Sequence, residues 1–185
     1  MGKKKRPISN TVKLGGIFDV TCYDKDGNFK WQDTAKNLVP NEGLQLILDL
    51  LFLGATQDSS AWGALPKEHW YVGLTDGSPS PAAADTMASH GGWTEYINYT
   101  GDRKEYVGTR TAQEVSNSGS KASFTISGES SAGDATVGGA FMTAAATGTA
   151  ETLLCCAAFS GGNKSVDEDD TLEVTYTFSA ADDGS

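Results

Sequence analysis

The chain has 185 residues, 38% of them apolar, with 22 glycines and a formal net charge of −10. That length accommodates one domain with its own core, and the glycine content points to a turn-rich β protein instead of a helical bundle. The acidic balance excludes general nucleic-acid binding, which needs clustered Lys and Arg to neutralise phosphates.

The exception to the acidic body comes first. Lys3, Lys4, Lys5 and Arg6 form a compact basic run before Pro7, so residues 1–11 read as a basic arm, residues 12–180 as a single β-rich domain and residues 181–185 as an acidic tail. The run is followed by polar Ser9, Asn10 and Thr11, not by the apolar region of a secretory signal. Gly2 is followed by Arg6 where a myristoylation motif requires Ser or Thr.

Phe18, Val20 and Cys22 then alternate with Asp19, Thr21 and Tyr23, and Phe29 and Trp31 alternate with Lys30 and Gln32. The pattern predicts a β-hairpin across residues 24–28, with Asp26-Gly27 supplying positive φ angles. The same turn is a poor calcium loop, because Gly27 falls too early and no glutamate stands at the twelfth position.

Asn41 stands where an N-cap belongs. Leu44, Ile47, Leu48, Leu51 and Phe52 recur at helical spacing up to Gly54. With Leu46, Leu50 and Leu53 also apolar, the helix is expected to be buried on more than one side. The apolar stretch from Leu44 to Leu53 is about half of the roughly 20 residues that a helical membrane span needs.

Trp70 to Thr75 reads as a strand with Trp70, Val72 and Leu74 on one face. An irregular excursion over residues 76–92 carries Pro79, Pro81 and an Ala-rich stretch with the composition of one or two helical turns. Strands are then predicted at 105–110, 122–126, 137–143, 153–159 and 171–178. In the last, Leu172, Val174, Tyr176 and Phe178 line a core face. Thr171, Glu173, Thr175 and Thr177 line a face left to solvent or to another subunit. The predicted fold is mostly β: an antiparallel β-sandwich with jelly-roll-like connections, one embedded α-helix and the basic N-terminal arm.

Little of this composition points to catalysis. The three cysteines, Cys22, Cys155 and Cys156, are an odd number with an adjacent pair, which argues for buried reduced thiols. No C-x-x-C or H-x-x-x-H spacing supports a metal site, and His69 and His90 form no local nucleophile motif. Asp85, Glu95, Asp102 and Glu105 have the residue type of glycosidase carboxylates, but no spacing selects a pair. The run Asp167, Glu168, Asp169 and Asp170 reads as a solvated turn. The Gly-Gly pairs at 15–16, 91–92, 138–139 and 161–162 read as backbone-turning features. No cofactor, metal or catalytic residue is expected.

The segment from Asn37 to Glu95 carries linked motifs: Asn37-Leu38-Val39, Asn41-Glu42-Gly43-Leu44, Trp70-Tyr71-Val72-Gly73-Leu74, residues 84–90 and Gly92-Trp93-Thr94-Glu95. In order and spacing they resemble a group of small virion structural proteins of tailed bacteriophages, and the likeness extends to residues 103–110 and 138–141. The resemblance implies a capsid cement or decoration protein, often a β-sandwich assembling as a trimer. Its partner would be the major capsid protein and its place the capsid surface, after synthesis in a host cytoplasm, with no direct nucleic-acid or membrane contact. It supplies no catalytic residues.

On that reading Asn41, Gly43, Trp70, Gly73, His90, Trp93 and Glu95 are structural motif residues, and Lys3, Lys4, Lys5 and Arg6 form a capsid-binding arm. The competing expectation is a tail or fibre protein presenting Trp62, Trp93, Tyr96 and Tyr99 to a cell-surface glycan.

Overall fold

The computed structural model describes residues 12–52, 69–129 and 135–182. The basic arm, Leu53, Gly54, Trp62 and the last three residues of the acidic tail lie outside the described residues. Among the described residues, twelve strands and one helix follow in chain order: β1 (Val12–Tyr23), β2 (Phe29–Lys36), α1 (Asn41–Phe52), β3 (Trp70–Asp76), β4 (Thr94–Tyr96), β5 (Lys104–Tyr106), β6 (Thr109–Thr111), β7 (Glu114–Ser116), β8 (Ala122–Thr125), β9 (Ala135–Thr143), β10 (Leu153–Ala158), β11 (Lys164–Val166) and β12 (Thr171–Asp182).

They form two antiparallel sheets. The first runs β2-β1-β12-β7-β6, with β8 also on β12; the second runs β10-β9-β3-β4, with β11 on β9 and β5 on β3. The fold is a β-sandwich, as the alternation predicts.

Its backbone is the pairing of β1 with β12, in register from Val12 opposite Asp182 to Tyr23 opposite Thr171. Ala181 and Asp182 therefore belong to a strand. Period-2 alternation sends Phe18, Val20 and Cys22 inward, each opposite an inward residue of β12: Tyr176, Val174 and Leu172. Val72, Leu74, Val137, Ala140, Met142, Cys155 and Ala157 come from the other sheet to meet them in one core.

The central strands of the second sheet, β3, β9 and β10, are largely buried on both faces. Behind them Met87, Trp93, Phe141, Leu153 and Cys156 make a separate cluster under the excursion after β3. Cys155 and Cys156 thus point to opposite faces, both buried and both free thiols.

Several local expectations are corrected. In the hairpin turn only Gly27 takes a positive φ, of 82°, and Asp26 does not. The turn is held instead by Asp24 Oδ1, which accepts from the Asp26 and Asn28 amides at 2.9 and 2.8 Å. Asn41 is not the N-cap: the Leu44 amide donates to Pro40 O, making Pro40 the capping position, while the Asn41 amide is committed to Ala83 O.

The described side chains of helix α1 are unevenly buried. Gly43 and Leu46 face inward, whereas Leu44 and Leu48 are 43% and 54% exposed. The strand expected over 105–110 is two strands in different sheets, β5 on β3 and β6 on β7, with the chain crossing between sheets at Val107-Gly108. The Ala-rich excursion forms turns, not helix.

The glycine pairs at 15–16 and 138–139 lie inside strands. A Cβ at Gly16 would collide with the Tyr176 ring, and one at Gly138 with the Gly77 carbonyl. Gly16, Gly138 and Gly139 admit close neighbours, and neither pair turns the chain.

Candidate interaction surface

Most of the motif residues converge on the outer face of the second sheet. The excursion after β3 folds back on itself through Ser80 N to Gly92 O at 2.7 Å and the paired Thr86 and Ser89. Asp85 Oδ2 closes it by accepting from the Ala82 amide at 2.9 Å and from Trp93 Nε1 at 3.0 Å. His90 stacks on Trp93 with ring centroids 3.7 Å apart, and its Nδ1 lies 2.9 Å from Trp93 O. Trp93 packs on Phe141, whose ring fills the space that a side chain at Gly73 would occupy.

Glu95 follows on β4 and takes both Arg103 Nε and Nη2 at 2.7 Å. The guanidinium is buried, donates onward to Ala145 O and Gly148 O, and lies 5.4 Å above the Phe141 ring centroid. The start of α1 joins the same assembly. Asn41 N bonds Ala83 O, Glu42 Oε2 accepts from the Leu153 amide at 3.0 Å, and Gly43 packs directly against Leu154 O.

Asn41, Gly43, Gly73, His90, Trp93 and Glu95 are therefore parts of one latch that clamps the excursion and the helix onto the second sheet. Trp70 is not part of it. It sits on the opposite face of β3, half-buried against Leu46, Ala144 and the main core. Asp85 and Arg103 complete the latch, although their roles were not visible in the sequence. Asp85 lies eight residues from its indole partner and Arg103 eight from Glu95, but turns and irregular chain interrupt each interval, so no continuous helix or strand pattern links either pair.

Three of the four carboxylates considered for chemistry are committed elsewhere, and the fourth, Asp102, is exposed. Asp85 holds Trp93, Glu95 holds Arg103, and Glu105 pairs with His69 Nδ1. The run 167–170 is a closed turn. Asp170 is buried, takes the Asp167 amide at 2.8 Å, and with Asp167 binds Lys30 from β2. Burial alone would lower the Lys30 pKa, but the two carboxylates raise it above its ordinary value. Asp170 thus departs from the solvated reading.

Burial pushes the Cys22 thiol up to about 12 and the Cys155 thiol up to about 11, which keeps both protonated and unreactive at neutral pH. Among the described residues no three His, Cys, Asp or Glu side chains are grouped as a metal site would require.

Of the aromatic residues named on the glycan reading, the three that are described lie inside. Trp93, Tyr96 and Tyr99 are 6%, 4% and 7% exposed. Tyr96 donates to Glu129 Oε1 at 2.7 Å, and Tyr99 packs edge-on against Phe124. None of the three presents a ring to a sugar.

Two of the concave surfaces among the described residues lie away from the Glu95–Arg103 pair. On the outer face of the first sheet, Asp19, Thr109, Glu114, Ser116, Thr175 and Thr177 line an open groove of about 590 Å³. At one end of the sandwich, Leu46, Trp70, Tyr106, Val115, Met142 and Phe178 line an apolar pocket of about 260 Å³. Of the polar β12 face, Thr175 and Thr177 enter the groove, while Glu173 lies to the side and pairs with Lys121 at 2.7 Å.

Among described residues no helix is long and apolar enough to cross a membrane. No family model matches the chain, and no curated protein or solved structure is detectably similar to it.

Proposed function

We propose that this chain is a non-enzymatic structural protein of a tailed-phage particle. It is a capsid cement or decoration protein that binds between major capsid subunits as a trimer and stabilises the shell. The observation that carries the reading is the latch. Of the motif residues, His90 stacks on Trp93, Trp93 is tied to Asp85, Glu95 to Arg103 and the Asn41 amide to Ala83, while Gly43 and Gly73 admit close neighbours, so the resembling region builds a scaffold.

A scaffold of this kind acts through its faces. The outward surface of the first sheet is rich in Thr and Ser, short side chains that lose little rotamer entropy on burial and supply hydrogen bonds at a contact. Of the four aromatics named for the tail or fibre reading, the three that are described, Trp93, Tyr96 and Tyr99, are buried, which favours the shell reading.

The test is binding to shells. The purified chain is added to expanded capsids that lack it, and bound copies are counted after sedimentation. Saturable binding with a rise in the temperature at which the shells lose DNA supports the proposal. Absence of saturable binding rejects it.

A further inference from the structure

We propose that the groove on the outer face of the first sheet is the docking site for this chain's own basic arm, with Lys3, Lys4, Lys5 and Arg6 lying between Asp19 and Glu114. The inference stands on charge, groove shape and chain reach, and does not depend on the shell reading.

The groove has two carboxylates, Asp19 on β1 and Glu114 on β7. Between them lie the hydroxyls of Thr109, Ser116, Thr175 and Thr177. Among the described residues no cation lines it; Lys13 and Lys36 share this outer face but stand outside the groove. Among the described residues, neither Asp19 nor Glu114 pairs with a cation, whereas Asp33, Asp167, Asp170 and Glu173 all do. The groove is thus an acceptor-rich trough matched to a segment that carries only donors and positive charge. The chain contains one such segment: four of its 14 Lys and Arg are consecutive at positions 3–6.

The register places the groove within reach. Glu114 is opposite Ser179, which is opposite Gly15. Glu114 is therefore three residues along and two strands across from Val12, about 14 Å at the usual strand rise and spacing. Arg6 precedes Val12 by six residues, a tether of roughly 20 Å when extended. Arg6 then meets Glu114 with slack for the chain to reverse. Asp19 lies opposite Thr175, four residues further on than Ser179, about 16 Å from Glu114 by the same spacings. Lys3 to Arg6 extended covers about 10 Å of that, and the lysine side chains span the rest. A short tether that can reach its site gives an effective concentration in the millimolar range, which favours the chain's own arm over that of a neighbouring copy in dilute solution.

Zero-length carbodiimide crosslinking, which joins a lysine amine to a carboxylate only when the two are in contact, tests this on the full chain at low protein concentration and low salt. Mass spectrometry of the monomer-sized band is expected to show Lys3, Lys4 or Lys5 joined to Asp19 and Glu114. These links should disappear at high salt and in the Asp19→Asn, Glu114→Gln double variant, while the Lys121–Glu173 crosslink persists as the control for an intact fold. Three results would overturn the proposal: arm crosslinks spread over other exposed carboxylates such as Asp26, Asp102 and Glu168, no arm crosslinks at all, or arm-to-groove links confined to dimer-sized bands. The last assigns the groove to a neighbour's arm.

Discussion

Trp93 and Asp85 are joined inside a closed loop: the indole Nε1 donates to Asp85 Oδ2 at 3.0 Å, with both side chains buried. The same oxygen holds the Ala82 amide at 2.9 Å. Asp85→Ala leaves both donors without an acceptor, at an expected cost of about 2–4 kcal/mol, since hydrogen bonds to charged groups contribute more than neutral ones and unpaired buried donors are penalised. Asp85→Asn keeps one acceptor and is expected to cost less. Urea unfolding of the two variants measures this, and equal losses would contradict the role of Asp85 as a double acceptor.

Arg103 is the second fastening. Its removal strands Glu95 and frees the Ala145 and Gly148 carbonyls, so Arg103→Ala is expected to cost about 3–5 kcal/mol. Arg103→Lys should recover little, because an ammonium cannot reproduce the two-point contact with Glu95 and the onward donations. A double-mutant cycle with Glu95→Gln should give a coupling above about 1 kcal/mol.

The strand glycines separate by neighbour. A Cβ at Gly138 would strike the Gly77 carbonyl and the Pro79 ring, whereas one at Gly15 meets nothing within 4 Å. Gly138→Ala should therefore cost about 3 kcal/mol or prevent folding. Gly15→Ala should be neutral or stabilising by up to about 1 kcal/mol, through reduced freedom of the unfolded chain. Thermal melts of the pair check the contrast.

Glu42 gives a pH signature. Burial raises its pKa above the ordinary 4.5, against the lowering effect of hydrogen bonds from the Leu153 and Met87 amides. Because the folded value is the higher one, the stabilising contribution is complete below about pH 4.5 and is lost as pH rises through the folded pKa. Glu42→Gln lacks this term. Its stability relative to the parent should rise from pH 4 to pH 7 and then level. A flat difference in denaturant titrations across that range would contradict it.

The long strands were legible because one face of each is apolar. Phe18, Val20 and Cys22, and likewise Leu172, Val174 and Tyr176, alternate over enough residues to define a period. Strands β4, β7 and β11 have three residues each, too few to show one, and they exist through pairing with distant partners. The break at Val107-Gly108 was hidden because both flanking segments look like strand; only the change of sheet separates them.

The exposed Leu44 and Leu48 show the limit of composition: a leucine-rich helix says that burial is available, not which side receives it. The latch was legible as a set of linked motifs. Its two closing partners were not, because Asp85 and Arg103 act through contacts that no sequence period encodes. Lys30 and Asp170, 140 residues apart, are the extreme case.

The proposed role places the chain in the shell. Cryo-microscopy of the particle that carries it measures this directly. Three-fold density on the capsid surface between major capsid subunits, into which the two-sheet sandwich fits, is expected. Density for the sandwich on the tail or fibres, or particles with no copy of the chain, would contradict it.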